Sequence, residues 1–396
     1  MKVLFFSSYF YPHISGLTIY PYRIFKHLSK NHKITVLTFN NSLKIAHPEL
    51  AEWKNLKLKI ISLPFLFKIS KGFYAPLAKF YFFKYCLKND VIILNLPNGE
   101  GLFLALFAKL FHKKLISIFH CQVTLSHSLI NQLINSFLKI IINIQLHLSD
   151  HIITNTQDYF ENLHLSPTFG KKISYVFPPI QLEKVNSDEL KQFLKVKGGK
   201  IWIGYLGRIS SEKGIEYLIE AMRTIVAEIH LPIELIFAGQ SLAIHEEKYF
   251  QLIKQQLIKS KIIYRFFNKL KDNQISAFYK SLDIFVLPSI NTTESFGMAQ
   301  VEAIISGTPV IATDLPGIRI PLNLSKMGII VKPKNSSQIK SAILKILKNK
   351  QKYSNKQLIN NAKQIFDVQK TFNFYDATLI STGAVATSLA QQSNDL

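Results

Sequence analysis

Short apolar runs recur along the whole chain and alternate with longer segments that have helical spacing. In the first half of the chain these apolar runs occupy residues 2–8, 32–39, 90–97, 114–120 and 150–156. Runs of this length that are rich in Ile, Val and Phe predict buried strands. Because strands and helices alternate, we predict a doubly wound parallel sheet.

A charged and poorly apolar stretch at residues 182–200, LEKVNSDELKQFLKVKGGK, interrupts this alternation. Its lysines and double glycine predict a linker with a surface helix. The alternation then resumes, with predicted strands at 201–207, 233–239, 261–267, 283–289, 308–314 and 328–333 and an amphipathic helix at 214–228. We therefore predict an α/β fold with two tandem Rossmann-like domains that face each other across a cleft.

The pattern also predicts where the domains begin and end. We expect an N-terminal domain, a linker, a C-terminal domain, a final helix that returns to the N-terminal domain and a flexible tail, at residues 1–182, 183–199, 200–366, 367–381 and 382–396. Open parallel sheets bind ligands at the carboxyl ends of their strands, so the ligand site is expected there.

Composition adds constraints on compartment and partners. The chain has 396 residues, a net charge of +23 and two distant cysteines, Cys86 and Cys121, which favours two domains in a reducing compartment. Lysines and polar residues interrupt the apolar stretches 101–119 and 129–148, so no membrane span is predicted. Two interpretations of the charge stay open: a solvated lysine-rich surface, or an anionic partner such as a membrane, a phosphorylated substrate or nucleic acid.

The stretch TTESFGMAQVEAIISGTPVIATDLPG, residues 292–317, carries the first candidate chemistry. Its glycine, Gly297, falls at a predicted helix start, where backbone N–H groups lack internal partners and carry partial positive charge. This arrangement predicts an anion or sugar-hydroxyl site. Glu294 is expected to point into the cleft. Glu302, two turns further on, fits a ribose diol.

A second candidate site is the loop in LGRISSEKGIEYL, residues 206–218, which follows a predicted strand. Arg208 and Lys213 flank the loop, and Gly214 opens the next helix. Two cations beside a helix N-terminus at a strand end suit a diphosphate. Taken alone, the two cations also fit a solvated surface, and two glutamates at this spacing alone would be a coincidence.

Taken together, the motifs resemble the family-4 glycosyltransferases, which are retaining enzymes with the GT-B fold. The resemblance rests on GRISSEKG, FAG, FYKSLDIFVLPS, ESFGMAQVEAIISGTPVIATDLPG and GIIVKP, in the family's order, and is strongest between about residues 200 and 335. It implies transfer of a hexosyl unit from a nucleotide-diphosphate sugar to an acceptor hydroxyl, in cell-envelope glycan or glycolipid synthesis.

The resemblance also implies roles for the residues that match the charged and glycine motifs. Arg208 and Lys213 would hold the donor diphosphate and stabilise the departing charge. Gly16, in YPHISG, matches the glycine loop that closes on the diphosphate. His120 matches a histidine near the acceptor and the sugar, although by itself it equally fits a core or capping histidine.

The matching residues of the second motif would contact the sugar nucleotide. Glu294 would contact the transferred sugar, and the backbone at Phe296, Gly297 and Met298 would support sugar and phosphate. Glu302 would bind the ribose. The catalytic groups implied are thus Glu294 together with the two cations and the histidine named above.

No metal-binding carboxylate cluster is visible in the sequence, so no metal or cofactor is expected beside the donor. Two other functions stay open. A GT-B epimerase of nucleotide sugars would share the fold without needing the two glutamates. A basic, non-catalytic nucleic-acid-binding protein would need clustered lysines and stacking aromatics, and the one candidate, residues 78–88, is predicted as a helix. Nucleic acid is not an expected partner.

Residues 63–88 predict a membrane partner. This stretch places Lys68, Lys71, Lys79, Lys84 and Lys88 among many Phe and Tyr residues, without an acid. Aromatic rings and lysine stems suit the headgroup level, and an amphipathic element can lie there without spanning. We therefore expect a lipid-linked or glycan acceptor and a cytoplasmic protein, peripheral on the inner face of the cytoplasmic membrane. The alternative is that the aromatics pack in the core.

Overall fold

The chain divides into two compact units in the computed structural model. The structure describes residues 1–39 except 12 and 14, 56–69, 72–123, 129–163, 167–228, 231–239 and 246–380. The first unit comprises Met1–Pro179 with the C-terminal segment from Val368, and the second comprises Ile180–Asp367. The predicted tail, 382–396, and Lys71 lie outside the described residues.

A seven-stranded parallel sheet forms the centre of the first unit, in the strand order β3-β2-β1-β6-β7-β8-β9. A separate antiparallel hairpin consists of β4 and β5. Among the described residues, the strands of this unit are β1 Lys2–Phe6, β2 Lys33–Thr38, β3 Leu58–Ser62, β4 Phe67–Ile69, β5 Gly72–Tyr74, β6 Val91–Leu96, β7 Lys114–Phe119, β8 His151–Thr154 and β9 Ile173–Tyr175. Strand β6 is buried throughout, as expected of a parallel strand covered on both faces.

Helices cover this sheet on both faces. They are α1 Gly16–Leu28, α2 Ala78–Lys88, α3 Leu102–Leu110, α4 Leu129–Leu148 and α5 Gln157–Glu161, followed by a 3₁₀ helix at Pro167–Lys172. The inward residues of α2, α3 and α4 share one core cluster with β1, β6 and β7. The inward residues of α1 belong to a different cluster, on the other face. Apolar residues on one face of each helix explain this packing.

Helix α1 passes through Pro21, although a proline inside a helix usually kinks or breaks it. A proline has no N–H, so the carbonyl four residues earlier, that of Leu17, loses its helical partner. The amide of Asn95 replaces that partner, because its Nδ2 donates to Leu17 O at 3.2 Å. A side chain from β6 therefore satisfies the carbonyl that Pro21 leaves unpaired.

The second unit holds a six-stranded parallel sheet in the order β12-β11-β10-β13-β14-β15. Its strands are β10 Ile201–Leu206, β11 Ile233–Ala238, β12 Tyr264–Phe267, β13 Ile284–Leu287, β14 Val310–Thr313 and β15 Gly328–Val331. Each corresponds to a predicted apolar run, and β12 begins later than predicted. The helices are α6 Ser187–Lys197, α7 Ile215–Glu228, α8 Glu247–Ser260, α9 Asp272–Ser281, α10 Met298–Ile305, α11 Arg319–Ser325, α12 Ser336–Lys348, α13 Lys350–Tyr353 and α14 Lys356–Ile365.

The predicted linker segment, 183–199, contains helix α6 and packs within the second unit. Gln274 of α9 donates to Glu189 at 3.0 Å, and the Ser276 hydroxyl donates to the carbonyl of Glu183 at 2.5 Å. The amide side chain of Asn186 caps α6 through the N–H groups of Asp188 and Glu189. Capping and contacts with α9 therefore fix this segment on the second unit.

The last described helix, α15 Val368–Ile380, returns to the first unit. It packs on α1, where the hydroxyl groups of Tyr20 and Tyr375 lie 2.9 Å apart. The ring of His27 stacks on Phe372 at 4.3 Å, and its Nε2 lies 2.7 Å from the carboxylate of Asp376. Side chains up to 355 residues apart in sequence thus pack in one core.

The described part of residues 63–88, which leaves out 70 and 71, forms two different structures rather than one amphipathic element. The first part is the β4–β5 hairpin, and the second is helix α2. The carboxylate of Glu100 ties the hairpin to the sheet, since it accepts from Phe73 N at 2.6 Å and from the Ser8 hydroxyl at 3.0 Å. The aromatics divide accordingly, because Phe82 is buried whereas Phe80 is 63% exposed.

Candidate functional site

Two loops of the second unit lie side by side because they follow neighbouring strands. Strands β10 and β13 are paired in parallel, so their carboxyl ends meet at one edge of the sheet. The loop after β10 carries Arg208 and Lys213, and the loop after β13 carries Glu294. A backbone hydrogen bond from Ile290 N to Glu212 O, 3.0 Å long, joins the loops directly.

The carboxylate of Glu294 connects these loops to the start of helix α10. One oxygen forms an ion pair with the Lys213 ammonium, and the other accepts from Gly297 N at 3.0 Å. The side chains of Lys213 and Glu294 are 15% and 20% exposed. A partly desolvated ion pair at a helix N-terminus is therefore the centre of the candidate site.

Two glycines make the close approach of these loops sterically feasible. Gly214 has φ +62°, and a Cβ there would lie 2.4 Å from the carbonyl oxygen of Pro288. Gly297 has φ +75°, and a Cβ there would lie 2.5 Å from a methyl group of Leu287. Both positions need a left-handed backbone and the absence of a side chain. The predicted roles of these two glycines rest on backbone geometry.

Arg208 lies at the start of the first loop, next to a buried tyrosine and an acid. The Tyr205 hydroxyl donates to Arg208 O at 2.7 Å, which fixes the backbone of the loop. The guanidinium lies 3.6 Å from the carboxylate of Glu212 and is 39% exposed. Burial opposes ionisation of Glu212, but hydrogen bonds and the charges of Lys213 and Arg208 outweigh it, so the pKa of Glu212 is lowered.

The backbone around the second motif is held by a glutamine that the sequence analysis did not single out. Gln300 Nε2 donates to the carbonyl of Phe296 at 2.6 Å and to that of Ile318 at 2.9 Å. The Phe296 ring is buried, and Met298 is the first residue of α10. The backbone at 296–298, for which ligand contacts are predicted, is therefore held in place by hydrogen bonds from the buried side chain of Gln300.

Glu302 lies about one turn into α10 and is 8% exposed. Its Oε2 accepts from the hydroxyl of Tyr279 on α9 at 3.1 Å. This hydrogen bond orients the carboxylate, since a buried charge needs a donor. Glu302 lies in the same unit as Glu294, on the helix that begins just after the Gly297 N–H bound by Glu294.

The predicted acceptor-side residue, His120, follows β7 in the first unit and is 4% exposed. Its Nε2 lies 2.6 Å from Oδ1 of Asn95, and the edge of its ring contacts Tyr20 with ring centres 4.7 Å apart. Asn95 Nδ2 already donates to Ser7 Oγ and to Leu17 O. The network thus assigns the His120 proton to Nε2 and leaves Nδ1 as an acceptor.

Burial lowers the pKa of His120 to about 3. The imidazole is therefore neutral at physiological pH, and it is a hydrogen-bonding group rather than a charged one. His151, at the start of β8, behaves similarly, because burial and then the charge of Lys114 lower its pKa to about 4. The two histidines make the first unit sensitive to acid.

We expect the first unit to lose stability as the pH falls from about 6.5 towards 4. In this window His120 and His151 are protonated in the unfolded state but stay neutral in the folded state. Each histidine therefore lowers the free energy of unfolding by about 1.4 kcal/mol per pH unit. Urea unfolding at pH 7.0 and 5.0 measures the loss. The double variant His120→Gln/His151→Gln, compared with its own value at pH 7.0, should show a smaller loss. An equal loss would contradict this assignment.

Gly16 is the first residue of α1, and a Cβ there would meet no atom within 4 Å. Within the described structure, crowding therefore does not require a glycine at this position. Ser15 caps the helix, with its backbone N–H donating to Thr18 Oγ1 at 2.9 Å. Gly16 thus lies at a helix N-terminus at the carboxyl edge of β1, and its predicted contact with a diphosphate stays a prediction.

The structure brings the predicted residues together in two groups, one in each unit. Arg208, Lys213, Glu294, Phe296, Gly297, Met298 and Glu302 lie on adjacent loops and one helix of the second unit. Gly16 and His120 belong to the first unit. The sequence analysis missed Asn95, and the signal was a polar residue inside the apolar run VIILNLP. Within the ranges that the structure describes, no group of His, Cys, Asp and Glu could hold a metal ion.

Comparison with known proteins supports the motif assignment. Residues 186–365 match the family model described as Glycosyl transferases group 1, which confirms the resemblance to the family-4 glycosyltransferases. An uncharacterized glycosyltransferase of Methanocaldococcus jannaschii is 28% identical over 48% of this chain and 45% of its own length. A phosphatidyl-myo-inositol mannosyltransferase of Mycobacterium leprae is 29% identical over 42% of this chain and 43% of its own length. The chain thus aligns with less than half the length of these two relatives.

Solved structures agree over nearly the whole chain. HepE of Anabaena, in complex with UDP-glucose, is 20% identical and has a TM-score of 0.74, covering 96% of this chain and 99% of that one. At this identity the likeness shows the fold. The predicted α/β fold with two Rossmann-like domains, the GT-B type, is therefore confirmed.

Proposed function

We propose that this chain, whose second unit belongs to the group 1 glycosyltransferases, moves a hexosyl unit from a nucleotide-diphosphate sugar to an acceptor hydroxyl with retention of configuration. The observation that carries the proposal is the contact of Lys213 with Glu294 at the carboxyl ends of β10 and β13, where Glu294 also accepts from Gly297 N at the start of α10. These residues lie within the segment that matches the family model. A cation, a carboxylate and a helix N-terminus together suit a sugar diphosphate.

The reaction breaks the bond between the anomeric carbon and the diphosphate oxygen and forms a bond to the acceptor oxygen. Negative charge develops on the departing diphosphate, so Lys213, Arg208 and the first N–H groups of α10 stabilise the transition state. The proton of the acceptor hydroxyl passes to an oxygen of the leaving diphosphate. The protein then supplies position and charge, and a separate general base is not needed.

Lys213 must change partner when the donor binds. In the structure its ammonium is paired with Glu294, so a diphosphate that takes Lys213 releases one oxygen of that carboxylate. The other oxygen still accepts from Gly297, which keeps Glu294 in place. We infer that the released oxygen accepts a hydroxyl of the transferred sugar, so that diphosphate binding prepares the sugar contact. Glu302, held by Tyr279, is the proposed ribose ligand.

The proposed acceptor is lipid-linked or a glycan, and the proposed process is cell-envelope polysaccharide or glycolipid synthesis on the cytoplasmic side of the membrane. A relative named as a phosphatidyl-myo-inositol mannosyltransferase supports this choice. His120 is the proposed acceptor-side group, as a neutral hydrogen-bond acceptor through Nδ1. No metal or cofactor is proposed.

A donor screen tests the function. UDP-, GDP- and ADP-sugars are added to the purified chain, and the thermal midpoint is measured, starting with UDP-glucose, because the HepE structure is a complex with that sugar nucleotide. We expect one nucleotide class to raise the midpoint, since a ligand that binds only the folded state stabilises it. Labelled donor is then incubated without acceptor. Formation of an epimerised donor in this reaction would show that the chain is an epimerase and not a transferase. If no sugar nucleotide changes the thermal midpoint, the proposal is refuted.

A further inference from the structure

Three neighbouring helices of the first unit each have a second apolar side, which points away from the sheet. The outward residues form what we name the α2–α4 face: Phe80, Phe83 and Leu87 on α2, Phe103, Leu106 and Leu110 on α3, and Leu133, Phe137, Ile140 and Ile144 on α4. They include ten of the 24 exposed large hydrophobic side chains among the described residues. This concentration distinguishes a patch from apolar residues scattered singly over a surface.

Helix α4 shows the two-sided pattern most clearly. Leu146 is fully buried against the core, whereas Leu133 and Phe137 are 73% and 64% exposed. The outward residues follow one another at intervals of four, three and four positions, so they form a single stripe along the helix. Helix α4 is therefore apolar on both sides, with one side packed on the core and the other left uncovered by the residues that the structure describes.

The three stripes are adjacent because the helices pack side by side. Helix α2 packs against α3, and α3 packs against α4. The ring of Phe83 contacts those of Phe107 and Phe111 at centroid distances of 5.7 and 5.4 Å, which closes the gap between α2 and α3. The stripes therefore form one continuous apolar surface.

Positive charge surrounds this surface. Exposed lysines flank the stripes at Lys79, Lys84 and Lys88 on α2 and at Lys139 on α4. From residue 101 to residue 149 the sequence contains no Asp or Glu. Apolar side chains with flanking lysines and few acids are complementary to a bilayer with anionic headgroups.

We propose that the α2–α4 face docks on an anionic lipid bilayer, with its apolar stripes at the level of the headgroups and its lysines on the lipid phosphates. The inference rests on the proposed function, because it names the surface at which a lipid-linked acceptor is reached. A second copy of the chain is a poorer occupant, since a two-fold contact would bring lysines against lysines without acids to pair them. No described helix is both long and apolar enough to cross a membrane, so docking is peripheral.

Flotation with vesicles tests this surface on the full chain. Vesicles of phosphatidylcholine, with and without about one third phosphatidylglycerol, are mixed with protein at low ionic strength. We expect flotation that increases with phosphatidylglycerol, because each lysine near an anionic surface strengthens binding several-fold. Leu133→Gln/Phe137→Gln and Lys79→Glu/Lys84→Glu/Lys139→Glu should each lower the bound fraction at least about 10-fold.

Matched variants in the second unit serve as controls. Ile258, which is 70% exposed, and Leu252, 45% exposed, lie on α8, and Ile258→Gln/Leu252→Gln removes comparable apolar surface. Lys259→Glu/Lys345→Glu/Lys348→Glu makes the same change in net charge at exposed positions. Both control variants should float like the wild type. The mutated side chains are exposed, so unchanged thermal midpoints should accompany every variant.

Three results would overturn the proposal: no flotation of the wild type at low ionic strength, equal flotation of the Leu133→Gln/Phe137→Gln variant, or a dimer in light scattering that this variant converts to monomer. The last result would identify the face as an interface between copies. The donor-induced thermal shift is measured on the same variants. If that shift persists while flotation fails, docking is wrong and the proposed function stands; if it is absent from all of them, the proposed function fails independently.

Discussion

Replacement of Lys213 by alanine is expected to lower turnover about 10²- to 10³-fold while the fold is retained. The magnitude is typical of removing one preorganised group that stabilises transition-state charge. The fold should be retained because the Lys213 side chain is still partly exposed to water. In the variant, the carboxylate of Glu294 also keeps its hydrogen bond from Gly297 N. Steady-state transfer with the donor found in the screen measures the effect. Arg208→Ala should fall in the same range.

The chain offers a closely matched control for this prediction. Lys197 and Asp283 form an ion pair with side-chain exposures of 15% and 20%, the same values as for Lys213 and Glu294. Asp283 precedes β13, so this pair lies at the amino edge of the sheet, away from the candidate site. Lys197→Ala should cost stability and leave the turnover of the folded protein unchanged. Equal losses of turnover in Lys197→Ala and Lys213→Ala would show a structural effect and refute the diphosphate assignment.

Replacement of the two glutamates should have different effects, one mainly on turnover and the other mainly on nucleotide binding. Glu294→Gln is expected to lower turnover by about 10²-fold, because the amide cannot supply the charge that the proposed sugar contact uses. Its nucleotide affinity should be unchanged or higher, since the diphosphate no longer competes with a carboxylate for Lys213. Glu302→Gln should mainly weaken nucleotide binding, because a ribose contact is similar in the ground and transition states.

Calorimetric titration with the nucleoside diphosphate, beside steady-state kinetics, measures both quantities for each variant. The double variant Lys213→Ala/Glu294→Gln provides a further check. Groups that act as one unit are not additive, so its turnover should be close to that of the worse single variant. Weaker nucleotide binding in Glu294→Gln, or full additivity in the double variant, would refute the proposed exchange of partners.

Much of the fold was predictable because parallel strands are buried on both faces. Both faces of such strands are buried, so runs such as VIILNL and IFVL are almost continuously apolar. This pattern distinguishes them in the sequence from the amphipathic helices between them. Strands β4, β5 and β9 have three residues each, too few to show a period. They take their conformation from neighbours, as when Glu100 accepts from the backbone of the hairpin.

The sequence predicted which residues of the second unit lie close together, but it did not predict which of them form hydrogen bonds and ion pairs. Positions at strand ends and helix starts placed Lys213, Glu294 and Glu302 at the same edge, because topology alone decides that. The ion pair that Lys213 makes with Glu294 depends on side-chain rotamers and on how closely Gly214 and Gly297 let the loops approach. Asn95 was missed for the same reason, because its importance comes from a proline and a histidine on other elements.

The return of helix α15 to the first unit limits how two related chains could exchange parts by recombination. A single crossover between two related genes near residue 180 would replace the second unit and α15 together. In the hybrid, α1 of this chain would pack against α15 of the other parent. Tyr20 and His27 would then lose their partners Tyr375 and Asp376 unless the other parent has the same residues there. Only a double crossover, near residues 180 and 367, transfers the second unit as an independent cassette. A related second unit would therefore be exchanged most easily by insertion of a segment, which leaves the pairing of α1 with α15 intact.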